Sequence, residues 1–251
     1  MKHLLICPDD NLYDLCIPLI RSIRDNLSGE ILIHLLTPNP QFKYEKQFPF
    51  VKEHDCSPFE RLTRYANAQM RVEHLSYFCW ARLFAPHIIE ASHILYLDID
   101  IIVAGNIDAL FEIDMGDNLF VGKAEGKEVN TGVLLINREA YIREKVYEAI
   151  NNLDDAAFIK DEQKFVRRYR DKTQLLPSAY NFNARLLKDY HSDDVRIIHF
   201  LGIIKAWTAF SGIRFSKPIL DLYRSYGGKQ LPMFHPLNRK ALKIRIDKMR
   251  R

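Results

Sequence analysis

Two carboxylates close an apolar run in "HILYLDID" (93–100), where Asp98 and Asp100 stand one residue apart. Side chains alternate faces along a strand, so this spacing puts both acids on one face and Ile99 on the other. Carboxylates that close repel, and each resists ionisation beside the other. A divalent cation relieves the repulsion. An oxygen-rich pair suits Mg2+ or Mn2+, which keep waters and phosphate oxygens among their ligands. The bland alternative makes one Asp a helix cap and leaves the other in water. Position favours the metal, because open α/β sheets bind ligands beyond the carboxyl ends of their strands.

The same rule draws attention to "CPDDN" (7–11), which follows the first apolar run. Asp9, Asp10 and Asn11 could accept hydrogen bonds from a uracil imide or a ribose hydroxyl. They are also ordinary turn and cap residues. In "RIIHFLGIIKAW" (196–207), His199 interrupts an apolar stretch, and Gly202, Lys205 and Trp207 follow. An imidazole can complete a metal site begun by two carboxylates. A glycine lets backbone approach a phosphate, and a lysine neutralises one. Alone, His199 would read as a satisfied core residue; the company it keeps shifts the reading. Asn130 and Thr131 open "NTGVLLIN", where an amide could bind a sugar hydroxyl or cap a turn. Asp161, Glu162 and Gln163 in "KDEQKFV" sit near a helix start, where acids can simply complement the helix dipole.

These residues need elements to hold them. Apolar patterning predicts strands at 3–7, 30–36, 93–100, 118–125, 131–137 and 195–201, with a further candidate at 50–53. Helical spacing covers 13–27, 75–89 (ending near Pro86), 138–153, a region near 160–170, and 216–228, with shorter turns at 106–113. Pro18 is awkward in the first turns of its helix. Strands alternating with helices imply an α/β fold with a mixed, largely parallel sheet.

Composition narrows the classes. Of 36 Lys/Arg and 32 Asp/Glu, residues 238–251 hold seven and one, so the remaining 237 residues carry 29 against 31. A near-neutral body with a basic end excludes a basic nucleic-acid binder. The expected organisation is one domain over 1–236 and a basic tail over 237–251. In the tail, Leu242, Ile246 and Met249 fall on one helical stripe and Ile244 does not. Such a tail could meet an anionic membrane surface or remain solvated. The four cysteines, Cys7, Cys16, Cys56 and Cys79, make no zinc pattern, and "MKHLLICPDD" is too short in apolar residues for a signal peptide. The expectation is a cytoplasmic protein, peripheral on the inner membrane face if the tail engages it.

"PDDN", "YLDIDIIV", "NTGVLLIN" and "HFLGIIKAW", in this order, resemble glycosyltransferase family 8, whose members include lipopolysaccharide α-galactosyl and α-glucosyl transferases and glycogenin. The resemblance covers residue 3 to about 207. It implies a GT-A fold, a single Rossmann-like nucleotide-binding domain, and transfer of a hexose from a UDP-sugar to a glycan or glycolipid acceptor with retention of configuration. By resemblance, Asp98, Asp100 and His199 hold Mn2+ (or Mg2+). Asp9 and Asn11 meet the uridine, with backbone at Pro8 and Leu12. Arg82 and Ile99 belong to the donor site, Gly202 and Lys205 take the diphosphate, and Asn130 and Thr131 line the sugar pocket. Glu162 and Gln163 match an Asp–Gln pair beside the sugar, with Asp161 the alternative acid. Departures are Leu12 in place of an aromatic, Ala206 in place of proline and Glu162 in place of aspartate. Retention requires either a covalent intermediate or attack from the leaving-group face, and both stay open. A phosphatase of the haloacid-dehalogenase type would use Asp98 as nucleophile and Asp100 as acid, but leaves "PDDN" and "HFLGIIKAW" unexplained. A non-enzymatic membrane- or glycan-binding module is the remaining alternative.

Overall fold

The computed structural model describes residues 1–64, 77–158, 162–188 and 194–249. Ten strands run in chain order as β1 (Lys2–Ile6), β2 (Ile31–Thr37), β3 (Val51–Asp55), β4 (His93–Leu97), β5 (Ile101–Val103), β6 (Phe120–Glu125), β7 (Glu128–Asn137), β8 (Thr173–Leu175), β9 (Phe182–Asn183) and β10 (Ile197–His199). Seven form one sheet in the order β3-β2-β1-β4-β7-β6-β8; β5, β10 and β9 form a second. In the large sheet β3, β2, β1 and β4 are parallel, and β7 runs against both β4 and β6. The mixed, largely parallel sheet is therefore as the strand–helix alternation implies.

The chain winds outward from β1 to β2 and β3, then crosses back to lay β4 on the other side of β1. That reversal opens a crevice between the carboxyl ends of β1 and β4. "CPDDN" leaves β1 there, and Asp98 leaves β4 there. Both faces of the large sheet are covered, so β4 and β7 are buried nearly throughout. One face packs Leu5, Ile94 and Leu134 on Trp80, Phe84 and Tyr141. The other packs Leu4, Leu95 and Val133 on Leu19, Ile20 and Ile23 of the helix α1 (Ile17–Asn26). Pro18 is the second residue of α1, where its missing N–H has no helical partner to lose. From α1, Ser22 Oγ accepts from the Val103 N–H at 3.1 Å and Asn26 Nδ2 donates to the Val103 carbonyl at 3.1 Å, so α1 fixes β5. Beneath the small sheet lies a third cluster, with Ile198, Phe200, Trp207, Phe215 and Tyr223.

Two sequence expectations need correction, and a third element takes a definite form. The strand over 93–100 stops at Leu97, and Asp98–Asp100 is a turn that carries the chain into the second sheet. The aspartates therefore do not share a strand face. The helix over 138–153 is two helices, Arg138–Arg143 and Val146–Asn151, separated by Lys145 in the left-handed region with φ 49°. In an unbroken helix Val146 would point about 140° away from Tyr141; the break lets Tyr141, Val146 and Ile150 all join the core. Finally, residues 236–249 form a 14-residue helix, Pro236–Met249, whose inward side chains are Asn238, Ala241 and Ile244, while Leu242 is exposed. Leu242, on the stripe expected to face a membrane surface, lies outside this packed face.

Candidate active site

The site is assembled from four chain segments. The turn after β4 brings Asp98 and Asp100; β10 ends on His199, which pairs with Ile101 of β5; β7 supplies Asn130, Thr131 and Gly132; and Ala81–Phe84 supplies Arg82. Asp98 donates its backbone N–H to the Gly132 carbonyl at 2.8 Å, and Phe200 donates to the Asp100 carbonyl at 2.9 Å. Backbone bonds thus fix both aspartates relative to β7 and β10.

Each carboxylate has one oxygen committed to protein donors and one turned inward. Asp98 Oδ1 accepts from the Tyr96 hydroxyl and lies 3.0 Å from Arg82 Nη2, while Oδ2 lies 3.7 Å from His199 Nε2. Asp100 Oδ2 accepts from the Lys205 ammonium, while Oδ1 lies 3.2 Å from His199 Nε2. Burial pushes the Asp100 carboxyl up, but Lys205 and His199 outweigh it and hold the group well below the usual carboxylate range.

The polarity of His199 is set by a chain of hydrogen bonds that can be read in one direction. The Gly132 N–H can only donate, and it meets Asn130 Oδ1 at 3.1 Å. The Asn130 amide nitrogen donates to Glu125 Oε2 at 2.8 Å. Asn181 Nδ2 donates to the same Asn130 oxygen at 2.9 Å, which turns Asn181 Oδ1 toward His199 Nδ1, 2.9 Å away. His199 Nδ1 therefore donates to Asn181, which leaves Nε2 as the ring nitrogen that can offer a lone pair to a cation. Three acceptors, Asp98 Oδ2, Asp100 Oδ1 and His199 Nε2, converge, and one ligand atom from each lies within 4.8 Å of the others. Two carboxylates and an oriented imidazole fit a divalent cation, with the second shell already in place. Gly132 makes room for this: a Cβ there would overlap the His199 ring and sit 2.8 Å from Asp98 Oδ2.

Arg82 joins this centre to Glu162. Its Nη1 donates to the Thr131 carbonyl at 2.8 Å and to Thr131 Oγ1 at 3.0 Å, and lies 3.5 Å from Glu162 Oε1. Thr131 Oγ1 donates to Glu162 Oε1 at 2.7 Å. Burial works against the Arg82 charge, but Asp98, Tyr96 and Glu162 raise its pKa above the ordinary arginine value. Glu162 is only 3% exposed.

An open cleft runs past the acids. Asp9, Asn11, Leu12, Arg82, Asp98, Ile99, Asp100, Gly202 and Lys205, all expected at the site, are in its wall. Gly202 has φ +98°, a backbone state that side-chain-bearing residues rarely adopt. His199, Asn130, Thr131 and Glu162 are buried behind the wall, and Gln163 is half-buried beside Glu162. Pro8 is buried at the end of β1, outside that wall. Asp161 lies outside the described residues. Sequence reasoning missed Asn181, Tyr96 and Gly132, whose roles depend on distant partners. It also missed the cleft-facing residues of the last helix, which were assigned to a tail.

A sheet wound outward from β1, with paired acids and a histidine gathered at its reversal, is the GT-A fold. The chain belongs to glycosyl transferase family 8, whose family model matches residues 3–211. Among curated relatives, glycosyltransferase GlyE of Streptococcus pneumoniae serotype 4 (strain TIGR4) is 28% identical over 165 residues, covering 58% of this chain and 41% of GlyE. Glycogenin of Komagataella phaffii is 23% identical over 147 residues, covering 48% and 36%. The chain spans about two fifths of the length of the streptococcal relatives GlyE, GlyF and GlyB. Of solved structures, the galactosyltransferase LgtC in complex with donor and acceptor sugar analogs superposes with a TM-score of 0.72 at 19% identity, covering 95% of this chain and 100% of LgtC. The GlyE structure superposes with a TM-score of 0.69 at 17% identity, covering 99% and 65%. At these identities the structural likeness speaks to the fold. Family membership displaces the phosphatase alternative.

Proposed function

We propose that this protein transfers a hexose, galactose or glucose, from a UDP-sugar to a glycan acceptor with retention of configuration, in the assembly of a cell-envelope polysaccharide or lipopolysaccharide. The observation that carries the reading is the convergence of His199 Nε2 with the inward oxygens of Asp98 and Asp100. Such a set is stable around a cation and poorly matched without one. In this reading Asp98, Asp100 and His199 hold Mn2+ or Mg2+, which when bound acts as a Lewis acid on the leaving diphosphate, an effect worth several kcal/mol.

The remaining roles belong to the chain's own groups. Asp9 and Asn11, with backbone at Pro8 and Leu12, receive the uridine at the end of β1. Gly202 offers a close backbone approach to the diphosphate, and Lys205, seated against Asp100, sets a positive charge beside it. Arg82 keeps Asp98 Oδ1 occupied, so that Oδ2 stays turned inward. Glu162 and Gln163 stand beside the pocket of the reacting sugar, Glu162 acting from behind the wall through Thr131 and Arg82, where a carboxylate or amide steadies oxocarbenium character. Asn130 and Thr131 shape that pocket from behind. The basic helix, with Met233 and Phe234 exposed just before it, places the enzyme at an anionic membrane surface on the cytoplasmic side. Among the described residues, no helix is long and apolar enough to cross a membrane.

A panel of nucleotide-sugars tests the assignment. The expected result is slow hydrolysis of a UDP-hexose that requires Mn2+ or Mg2+ and stops in EDTA. Absence of metal-dependent turnover with every UDP-sugar, at concentrations that saturate other family members, would overturn it.

A further inference from the structure

The helix Pro236–Met249 turns one face to the cleft: Leu237, Lys240, Ala241 and Ile244 line it. Those positions follow the i, i+3, i+4, i+7 pattern of a single helical stripe. Ala241 and Ile244 are buried, so the helix is a wall of the cleft. Its seat is specific. Asn238, almost fully buried, accepts from the Ala209 N–H at 3.2 Å and donates to the carbonyls of Leu231 (3.1 Å) and Pro232 (2.8 Å). Leu231 in turn donates to the Trp207 carbonyl at 2.7 Å. The helix is therefore latched to the loop that carries Gly202 and Lys205.

Among the described residues, the cleft wall contains three cations, Arg82, Lys205 and Lys240. Arg82 is committed to Asp98 and Glu162, and Lys205 to Asp100. Lys240 has no carboxylate partner among the described residues and stands exposed at the rim. A long flexible ammonium there can meet an anion, and in the UDP-sugar reading the anion beside the Gly202–Lys205 loop is the diphosphate.

We infer that the terminal helix is part of the donor site and that Lys240 binds the diphosphate of the nucleotide-sugar directly, as a cation additional to Lys205. This rests on the UDP-sugar reading of the cleft. Two consequences follow. The helix cannot be removed without cost to donor binding. And the contact, being exposed, weakens with salt.

The experiment is calorimetric titration of the full chain, in Mn2+, with UDP, UMP and uridine, for wild type, Lys240→Ala and Lys240→Arg. Lys240→Ala is expected to weaken UDP binding about 5-fold, a size common for one exposed charge contact to a phosphate group. Uridine binding stays unchanged, and the salt dependence of UDP binding becomes shallower. Lys240→Arg restores most of the affinity. Equal UDP affinity in wild type and Lys240→Ala would overturn the inference, as would an equal loss for uridine, which would mark a displaced wall. Wild type failing to bind UDP in Mn2+ would instead overturn the reading of the site itself, and this inference with it.

Discussion

The protein holds two polar clusters of three side chains on its large sheet and its margins, and they end differently. Toward the β3 edge of the sheet, His3, His34 and His54 form a ladder across β1, β2 and β3. His3 Nδ1 meets His34 Nε2 at 3.0 Å, His34 Nδ1 meets His54 Nε2 at 2.8 Å, and the rings stack with centroids 5.3 and 5.1 Å apart. One proton per contact satisfies every link, so the ladder is complete in itself. At the crevice, the chain Glu125–Asn130–Asn181–His199 also satisfies each link, but it ends on His199 Nε2 facing two carboxylate oxygens. Burial of polar groups is common to both. What marks the second as a candidate site is a converging set of ligand atoms, a capacity that a cation can meet.

Removing that capacity is the sharpest way to break the contrast. Asp98→Asn with Asp100→Asn should abolish Mn2+-dependent UDP binding and lower sugar transfer about 1000-fold or more, the scale expected when both metal anchors and transition-state charge stabilisation are lost. Retention of transfer within 10-fold of wild type, on a rough scale, would break the link between the acids and the reaction.

Glu162→Gln comes next, because Glu162 is tied to the centre through Arg82 and Thr131. Its expected signature is a fall in kcat of about 100-fold with little change in UDP affinity, as for a group acting mainly in the transition state. Gln163→Ala should follow the same pattern, and Asp161→Asn, the register control, should not. Single-turnover kinetics separates the two parameters.

Asn181→Leu attacks the direction of the hydrogen-bond chain while leaving the three metal-facing residues in the sequence. Mn2+ affinity, followed by the fall of the free-ion paramagnetic resonance signal, should drop about 10- to 100-fold, as for loss of other groups that orient metal-binding histidines. An unchanged affinity would mean that the His199 ring is held by its packing alone.

The ladder should respond to pH where the crevice mutations do not reach. Burial, with His54, His3 and Lys52 nearby, pushes His34 down to about 3. Burial and the N-terminal ammonium lower His3; burial and Lys52 lower His54, with Glu45 acting the other way. A base depressed in the folded state leaves the unfolded chain binding more protons. Its contribution is therefore full above the unfolded value of about 6.5 and is lost as pH falls toward the folded value. Between pH 7.5 and 5 wild type should lose up to about 2 kcal/mol more than His34→Phe in urea unfolding. UDP binding by His34→Phe at neutral pH should match wild type. Equal pH sensitivity of the two proteins would remove the ladder's role.

The contrast also explains what could be read before the structure. Asp98, Asp100, His199, Gly202 and Lys205 were visible because polar or special residues break apolar runs at strand ends, and the reversal between β1 and β4 is where α/β chains place ligands. The reason for the aspartates' convergence was misread: a turn into the second sheet, not strand alternation, aims them. Strands β8 and β9, of three and two residues, are too short to leave a periodic signal. Asn181 sits in an irregular segment, and its importance comes from Asn130, 51 residues away in sequence. The terminal helix was read from its charge, although its cleft face is set by Asn238 and the loop it docks on. Local pattern reports which residues are unusual; only tertiary partners reveal whether their hydrogen-bonding capacity is spent.

Calorimetry of UDP binding to the wild-type chain, in Mn2+ and in EDTA, tests the central claim that Asp98, Asp100 and His199 await a cation that the nucleotide shares. The account predicts binding at least about 10-fold tighter with Mn2+ than without, since the metal links two sets of negative oxygens that otherwise repel. Equal affinity in the two conditions would contradict it.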